Sequence, residues 1–130
     1  MMLEKGIKGK CTEKVTEEKT AAAVGSGALR VYATPAMIAL MENTAMRSVA
    51  GEIGEGMTTV GTLLNIAHTS ASPVGSTITC ESELTDIDRR RLVFRVTAYD
   101  EAGEIGSGTH ERFIVDSEKF MAKTNGKLDR

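Results

Sequence analysis

From residue 58 onward the chain alternates apolar and polar positions with a period of two, in four runs separated by turn signals. The runs are 58–69, 76–87, 91–99 and 104–115. The cleanest is 91–99, where Leu92, Phe94, Val96 and Ala98 face one way and Arg91, Val93, Arg95, Thr97 and Tyr99 the other. Strict alternation in the first run puts Val60, Leu64 and Ile66 on one side and Gly61, Leu63, Asn65 and Ala67 on the other. The breaks at 70–75, at Asp88-Arg89 and at Asp100-Glu101-Ala102-Gly103 read as turns. A weaker alternation at 6–18, with Ile7, Cys11 and Val15 among lysines and threonines, predicts an edge strand whose outer lysines discourage aggregation.

One stretch departs from this pattern. In 34–49 the apolar residues Met37, Ile38, Leu40, Met41, Ala45, Met46 and Val49 cover most of a helical circumference, which predicts a buried helix. Thr34 fits the N-cap and Pro35 the first helical position, where its missing N–H costs nothing. Segment 19–30, rich in Ala and Gly, reads as a loop or short lid, and Gly51, Gly54 and Gly56 mark the way out of the helix. A short terminal helix is expected at 116–124 and a disordered tail at 125–130. One strand, one buried helix and four hairpin-linked strands make an α+β domain, with a sheet packed on the helix. Such a sheet keeps an open face and an unpaired edge, which dimerisation would settle.

Composition narrows the class. At 130 residues the chain is one domain spanning 1–130. A formal net charge of −2 and the absence of Trp argue against nucleic acid as a partner. No apolar stretch reaches about 18 residues, so no membrane span is expected. The start of the chain lacks the apolar core of a secretory signal, so a cytoplasmic location is expected. Cys11 and Cys80 form no metal or redox spacing and read as buried free thiols.

Three polar groups do not fit a purely structural role. Glu42 interrupts the buried helix, and an unpaired buried carboxylate is costly. His68 stands at the end of the first run after the helix, and Gly106-Ser107-Gly108-Thr109-His110-Glu111-Arg112 puts His110 and Arg112 on one face of the last strand. Each has an ordinary explanation as well: a snorkelling or paired Glu, a surface His, Thr34 as a helix cap, Gly106 and Gly108 at a bulge, and Arg89-Arg90-Arg91 as a solvated turn. Spacing alone does not join Thr34, Glu42 and His68 into a site.

The order of motifs goes further. Val31-Tyr32-Ala33-Thr34-Pro35-Ala36-Met37 with Met41-Glu42 comes first, followed by Thr59-Val60-Gly61-Thr62 and His68-Thr69-Ser70-Ala71-Ser72-Pro73-Val74-Gly75. Asp88-Arg89-Arg90-Arg91-Leu92 and Ile105-Gly106-Ser107-Gly108-Thr109-His110-Glu111-Arg112 complete the series. Over residues 31–123 this resembles the hotdog-fold acyl-CoA thioesterases, most closely the fluoroacetyl-CoA thioesterase type. The resemblance implies a five-stranded antiparallel sheet wrapped around one long central helix, and a homodimer with a continuous sheet and interface active sites. Further pairing into a dimer of dimers stays open.

By position, the resemblance makes Thr34, Glu42 and His68 catalytic. Gly61 becomes a backbone donor toward the thioester oxygen and Arg112 a pocket residue. It implies no metal and no cofactor beyond the CoA of the substrate, with a small acyl-CoA hydrolysed to free acid and CoA. That family type carries bulky aromatics in its lid, where this chain has Ala21-Ala22-Ala23-Val24-Gly25-Ser26-Gly27. The fluoroacetyl selectivity is therefore not carried over. Two other readings stand beside hydrolysis. One is a non-catalytic acyl-CoA or small-ligand binding hotdog protein. The other is a hotdog hydratase or dehydratase, disfavoured because such enzymes carry an Asp five residues before the His and position 63 is Leu.

Overall fold

The run with the cleanest alternation becomes the middle of the sheet. In the computed structural model, described here over residues 3–129, five antiparallel strands lie in the order β1-β3-β4-β5-β2. Their ranges are Lys8–Lys14 (β1), Met57–His68 (β2), Thr77–Asp88 (β3), Arg91–Asp100 (β4) and Gly103–Asp116 (β5). Short helix α1 (Ala21–Val24) precedes the long α2 (Thr34–Val49), and α3 (Ser117–Asn125) follows β5. Among the described residues no helix is long and apolar enough to cross a membrane.

Leu92, Phe94, Val96 and Ala98 of β4 are fully buried against Met37, Met41, Ala45 and Val49 of α2. Ile78, Cys80 and Leu84 of β3 and Ile105 of β5 complete that layer. Each large side chain so buried stabilises the fold by about 1.5–3 kcal/mol. At the β1 crossing the backbones come so close that a Cβ on Gly9 would lie 2.8 Å from Ser48 Cβ and 2.9 Å from the Thr44 carbonyl oxygen. Glycine is what lets this edge strand dock on the helix.

Several expectations change. α2 is not wrapped all round: Pro35, Ala39, Asn43 and Arg47 recur every fourth residue and leave one stripe in solvent. One sheet covers only one side of a helix within a single chain. The N-cap is Ala33, which makes no side-chain cap bond, and Thr34 is already inside the helix. The tail is ordered further than expected, with α3 reaching Asn125 and a 3-10 turn over Gly126–Leu128; Arg130 lies outside the described residues. The segment at 19–30 is partly structured, because Thr20 caps α1 through a 3.2 Å bond from the Ala23 N–H.

Two features of the ladders were invisible in the sequence. Cys11 and Cys80 are direct partners in the β1–β3 register, Cys11 half-buried and Cys80 buried. Burial pushes the Cys80 thiol up to about 11. In β2 a bulge between Gly61 and Leu63 inserts Thr62 and reverses the phase of the strand. Gly61 pairs with Arg112 and Leu64 with His110, so Gly61 and Leu64 share the helix-facing side while Leu63 looks outward. Strict alternation had set Gly61 and Leu64 on opposite faces.

Candidate active site

α2 carries two separate polar groups, one at its start and one at its middle. Near its start, Thr34 Oγ1 and His68 Nδ1 are 2.8 Å apart. The hydroxyl expected to cap the helix is engaged by a histidine from the end of β2 instead. His68 Nε2 is buried with no hydrogen-bond partner among the described residues. Desolvation lowers the His68 pKa, opposed by a contact with the Ser70 backbone, so the ring is neutral at pH 7. Tyr32 packs its ring edge on His68 with centroids 6.4 Å apart, and its hydroxyl donates to Glu13 Oε2 at 2.5 Å. A cavity of about 270 Å³ opens beside this pair, walled by Ala21, Ser26, Val31, Ser70 and Ala71.

Two turns along the helix is the second group. Glu42 Oε2 lies 3.4 Å from Arg112 Nη1, and the Glu42 side chain is 37% exposed against 6% for Arg112. The guanidinium is held from every side. Its Nε donates to Thr59 Oγ1 at 2.7 Å, its Nη2 to the Thr59 carbonyl at 2.8 Å, and its Nη1 also reaches His110 Nε2 at 3.1 Å. Arginine has no acceptor, so His110 Nε2 must accept. His110 Nδ1 in turn donates to the Leu63 carbonyl at 2.8 Å. Both ring nitrogens are therefore assigned, and His110 is the neutral Nδ1–H tautomer. Desolvation first, and Arg112 after it, depress the His110 pKa, with the Leu63 carbonyl opposing.

Gly61 makes room for this arrangement. A Cβ there would sit 2.4 Å from Glu42 Oε2 and 3.2 Å from His110 Cε1. The bulge at Thr62 turns that glycine toward the carboxylate. The same carboxylate oxygen, Oε2, thus lies beside both the fixed Arg112 guanidinium and the Gly61 backbone. Such a group can act as a base or as a nucleophile.

The structure brings Glu42, Gly61 and Arg112 together, and separately Thr34 with His68. It does not bring the two groups into contact within one chain. Thr34 and Glu42 are eight residues apart, about 12 Å along a helix axis. Thr59 and His110 were missed as site residues. The period-two spacing of His110 and Arg112 was the one available signal, and nothing in the sequence joined Thr59 to them. Among the described residues no group of three or more His, Cys, Asp or Glu side chains could hold a metal ion.

Comparison with known proteins fits this geometry. The family model described as FlK, fluoroacetyl-CoA-specific thioesterase, matches residues 15–118. The fluoroacetyl-CoA thioesterase of Streptantibioticus cattleyicolor is 44% identical over 97 residues, covering 75% of this chain and 70% of that protein. A solved structure of the fluoroacetyl-CoA thioesterase FlK superposes with a TM-score of 0.91 at 35% identity, over 98% of each chain. A mutant of FlK in complex with fluoroacetate and CoA gives 0.86 at 36% identity, over 91% of this chain and 99% of that one. The sheet wrapped around α2 is the hotdog fold, and the chain belongs to the fluoroacetyl-CoA-specific thioesterase family.

Proposed function

We propose that this protein hydrolyses a small acyl-CoA thioester to the free acid and CoA, with Glu42 as the central catalytic group. The observation that carries the reading is the Glu42 carboxylate, steered by Arg112 and cleared by Gly61. A purely structural ion pair has no need of a glycine opposite it. Glu42 either attacks the thioester carbonyl, giving an anhydride and CoA thiolate, or takes a proton from the water that attacks. The oxyanion is met by fixed donors, for which the Gly61 N–H and the Thr34–His68 pair are the candidates; one such donor is worth about 3–4 kcal/mol. CoA thiolate leaves readily, so strong acid assistance is not required. The small residues walling the cavity beside His68 favour a short acyl group.

The two half-sites are completed by a second copy of the chain. β2 is an edge strand, and residues 61–65 are exposed along it, with Leu63 45% and Leu64 41% exposed. Antiparallel pairing of β2 with itself about a two-fold near Leu64 sets residue 61 opposite about residue 67 of the other copy. Glu42, Gly61 and Arg112 of one protomer then face Thr34 and His68 of the partner subunit. The same pairing joins the two sheets into one.

The first test is thiol release from acyl-CoAs running from acetyl to palmitoyl, with fluoroacetyl and an aryl member. Short acyl groups are expected to turn over, and Glu42→Gln is expected to lower the rate at least about a hundredfold. Near-normal rates in that variant would sink the assignment. Mixed dimers of a Glu42→Gln chain with a His68→Ala chain test the shared site. They regain one intact site if the site is shared and none if it lies within one chain.

A further inference from the structure

Two thiols face each other where nothing in the proposed mechanism uses them. Cys11 of β1 and Cys80 of β3 are direct register partners, and both pack on the α2 side of the sheet. Four residues away in each direction, the same register carries backbone hydrogen bonds. The Val15 N–H donates to the Ser76 carbonyl at 2.9 Å and the Leu84 N–H to the Ile7 carbonyl at 2.8 Å. Such bonds recur at every second residue of an antiparallel ladder, so Cys11 and Cys80 form a hydrogen-bonded pair with Cα atoms about 5.5 Å apart. That separation lies inside the range of about 4.4–6.8 Å that disulfides span. The Cβ atoms of facing residues stand about 4.5–5.5 Å apart, against about 3.5–4.5 Å across a disulfide. A bond here therefore closes with a contraction of up to about 1 Å.

Access to the two sulfurs is unequal. Cys11 is half-buried and lines a groove of about 420 Å³ between β1 and α2, with Lys10, Thr44 and Arg47 on its walls. Cys80 is fully buried. Desolvation raises its pKa to about 11, a bond with Thr44 opposes the rise, and Cys11 adds to it. An oxidant arriving from solvent meets Cys11 first, and Cys80 stands behind it as a protonated thiol.

The pair also adjoins the Thr34–His68 half-site. Glu13 follows Cys11 by two residues, on the same face of β1. Its Oε2 accepts from the Tyr32 hydroxyl at 2.5 Å and its Oε1 from Lys19 Nζ at 2.6 Å. Burial raises the pKa of that hydroxyl, and Glu13 and then Cys80 add to the rise, which sets the phenol near both. The buried Tyr32 ring in turn packs against His68.

We propose that Cys11 and Cys80 are a redox modification site, closed to a disulfide by a peroxide, whose state reaches His68 through Glu13 and Tyr32. The Cys11 sulfur attacks one oxygen of hydrogen peroxide, the O–O bond breaks, and a sulfenic acid and water form. The Cys80 sulfur then displaces hydroxide from the Cys11 sulfur, and the thiol proton leaves with it as a second water. Two thiols give up two electrons, and one peroxide is reduced to two waters. The contraction strains the bond, and strained disulfides are the readily reduced ones, so a dithiol reopens it. Drawing Cys11 inward moves Glu13 on the same strand face, and with it the hydroxyl that holds the Tyr32 ring on the imidazole.

The test treats the full chain with hydrogen peroxide and reads intact mass and free thiols before and after dithiothreitol. The expected product is an uncrosslinked chain lighter by two hydrogens, with no free thiol, and dithiothreitol restores both thiols. Cys80→Ala removes the second sulfur, so its oxidation should stop at a Cys11 sulfenic acid that dimedone traps. Two free thiols after peroxide, chains joined through Cys11, or a Cys11 sulfinic acid in place of the disulfide would overturn the site. Transmission is read at the imidazole. The His68 Cε1–H NMR signal, assigned by its loss in His68→Gln, should move on oxidation in wild type and hold its place in Tyr32→Phe. A signal that ignores the disulfide, or that moves equally in Tyr32→Phe, would overturn the route to His68. On acetyl-CoA, oxidation should lower kcat about two- to tenfold with KM unchanged, and Cys11→Ser should keep the rate of the reduced enzyme with or without peroxide. Only this last readout rests on the acyl-CoA reading above. Mass, thiol count and NMR need no substrate, so wild type inert toward every thioester would overturn that reading and leave the disulfide to be decided by them.

Discussion

The two edges of the sheet are built oppositely. β1 shows solvent Lys8, Lys10, Thr12 and Lys14 at every second position. Lysines along an open edge repel a second strand. β2 shows Gly61, Thr62, Leu63, Leu64 and Asn65, with no charge among them. An uncharged, apolar edge invites pairing, and it is the one that carries Gly61 and His68. The contrast teaches that openness of a sheet edge is a property selected strand by strand. Here the open edge is the one where the proposed chemistry needs a second chain.

The largest expected effect comes from giving β2 the character of β1. Leu63 faces away from α2, so Leu63→Lys leaves Glu42, Arg112 and His68 untouched while placing like charges together across the proposed two-fold. The variant should sediment as a monomer and lose thioesterase activity about a hundredfold, as a site without its partner-supplied donors would. The reverse change, Lys10→Leu on β1, should leave both unchanged. A fully active Leu63→Lys monomer would break the comparison.

How much of this was legible beforehand differs along the same lines. β4 could be read because the alternation of Leu92, Phe94, Val96 and Ala98 reports one local fact, which side faces the core. The helix and its misfit Glu42 were legible for the same reason. The face of Gly61 was not, since a single inserted residue, Thr62, reverses a period-two pattern without leaving a compositional trace. Nor was the clamp on Arg112, because Thr59 and His110 meet it through strand pairing and not through spacing in the chain. Thr34 was misassigned as the N-cap because a hydroxyl at a helix start satisfies capping rules equally well whether or not a histidine is waiting for it. The motif order, read as a family resemblance, named Thr34, Glu42, His68, Gly61 and Arg112 together; within one chain the structure joins Glu42, Gly61 and Arg112 and, apart from them, Thr34 and His68.

A second prediction acts inside the β2 half-site. Gly61→Ala puts a methyl group where Glu42 Oε2 now lies, at 2.4 Å. The carboxylate is the terminus of a flexible, part-exposed side chain, so it moves aside and the fold survives. The expected outcome is a dimer with nearly unchanged melting temperature and activity reduced about ten- to a hundredfold, with kcat carrying the loss. The same change at Gly9 meets the carbonyl of Thr44 at 2.9 Å and Ser48 Cβ at 2.8 Å, atoms fixed by α2. Gly9→Ala should therefore lower the melting temperature and leave kcat of the folded protein intact. An exchange of these two signatures would refute the division of labour between the edges.

The smallest effect separates the half-sites by pH. His110 and His68 both have pKa values lowered in the folded protein, chiefly by desolvation. Between the folded value and the unfolded value of about 6.5, the unfolded chain binds more protons. Stability from each ring is thus complete above about pH 6.5 and falls as the pH drops below it. The carboxylates Glu17, Glu101 and Glu111 have lowered pKa values and lose their contribution below their unfolded value of about 4.5, so the histidine window lies above theirs. Protonating His110 sets an imidazolium against Arg112 Nη1 at 3.1 Å, where His68 is met by the Thr34 hydroxyl, the Tyr32 ring edge and the Ser70 backbone. His110→Gln keeps an acceptor for Arg112 and removes the titration. Melting temperatures measured from pH 8 to pH 5 should fall in wild type and fall less in His110→Gln. His68→Gln should recover less of the slope, because no cation stands beside that ring. Equal recovery by the two variants would mean that desolvation alone sets the slope and that the Arg112 clamp adds nothing to it.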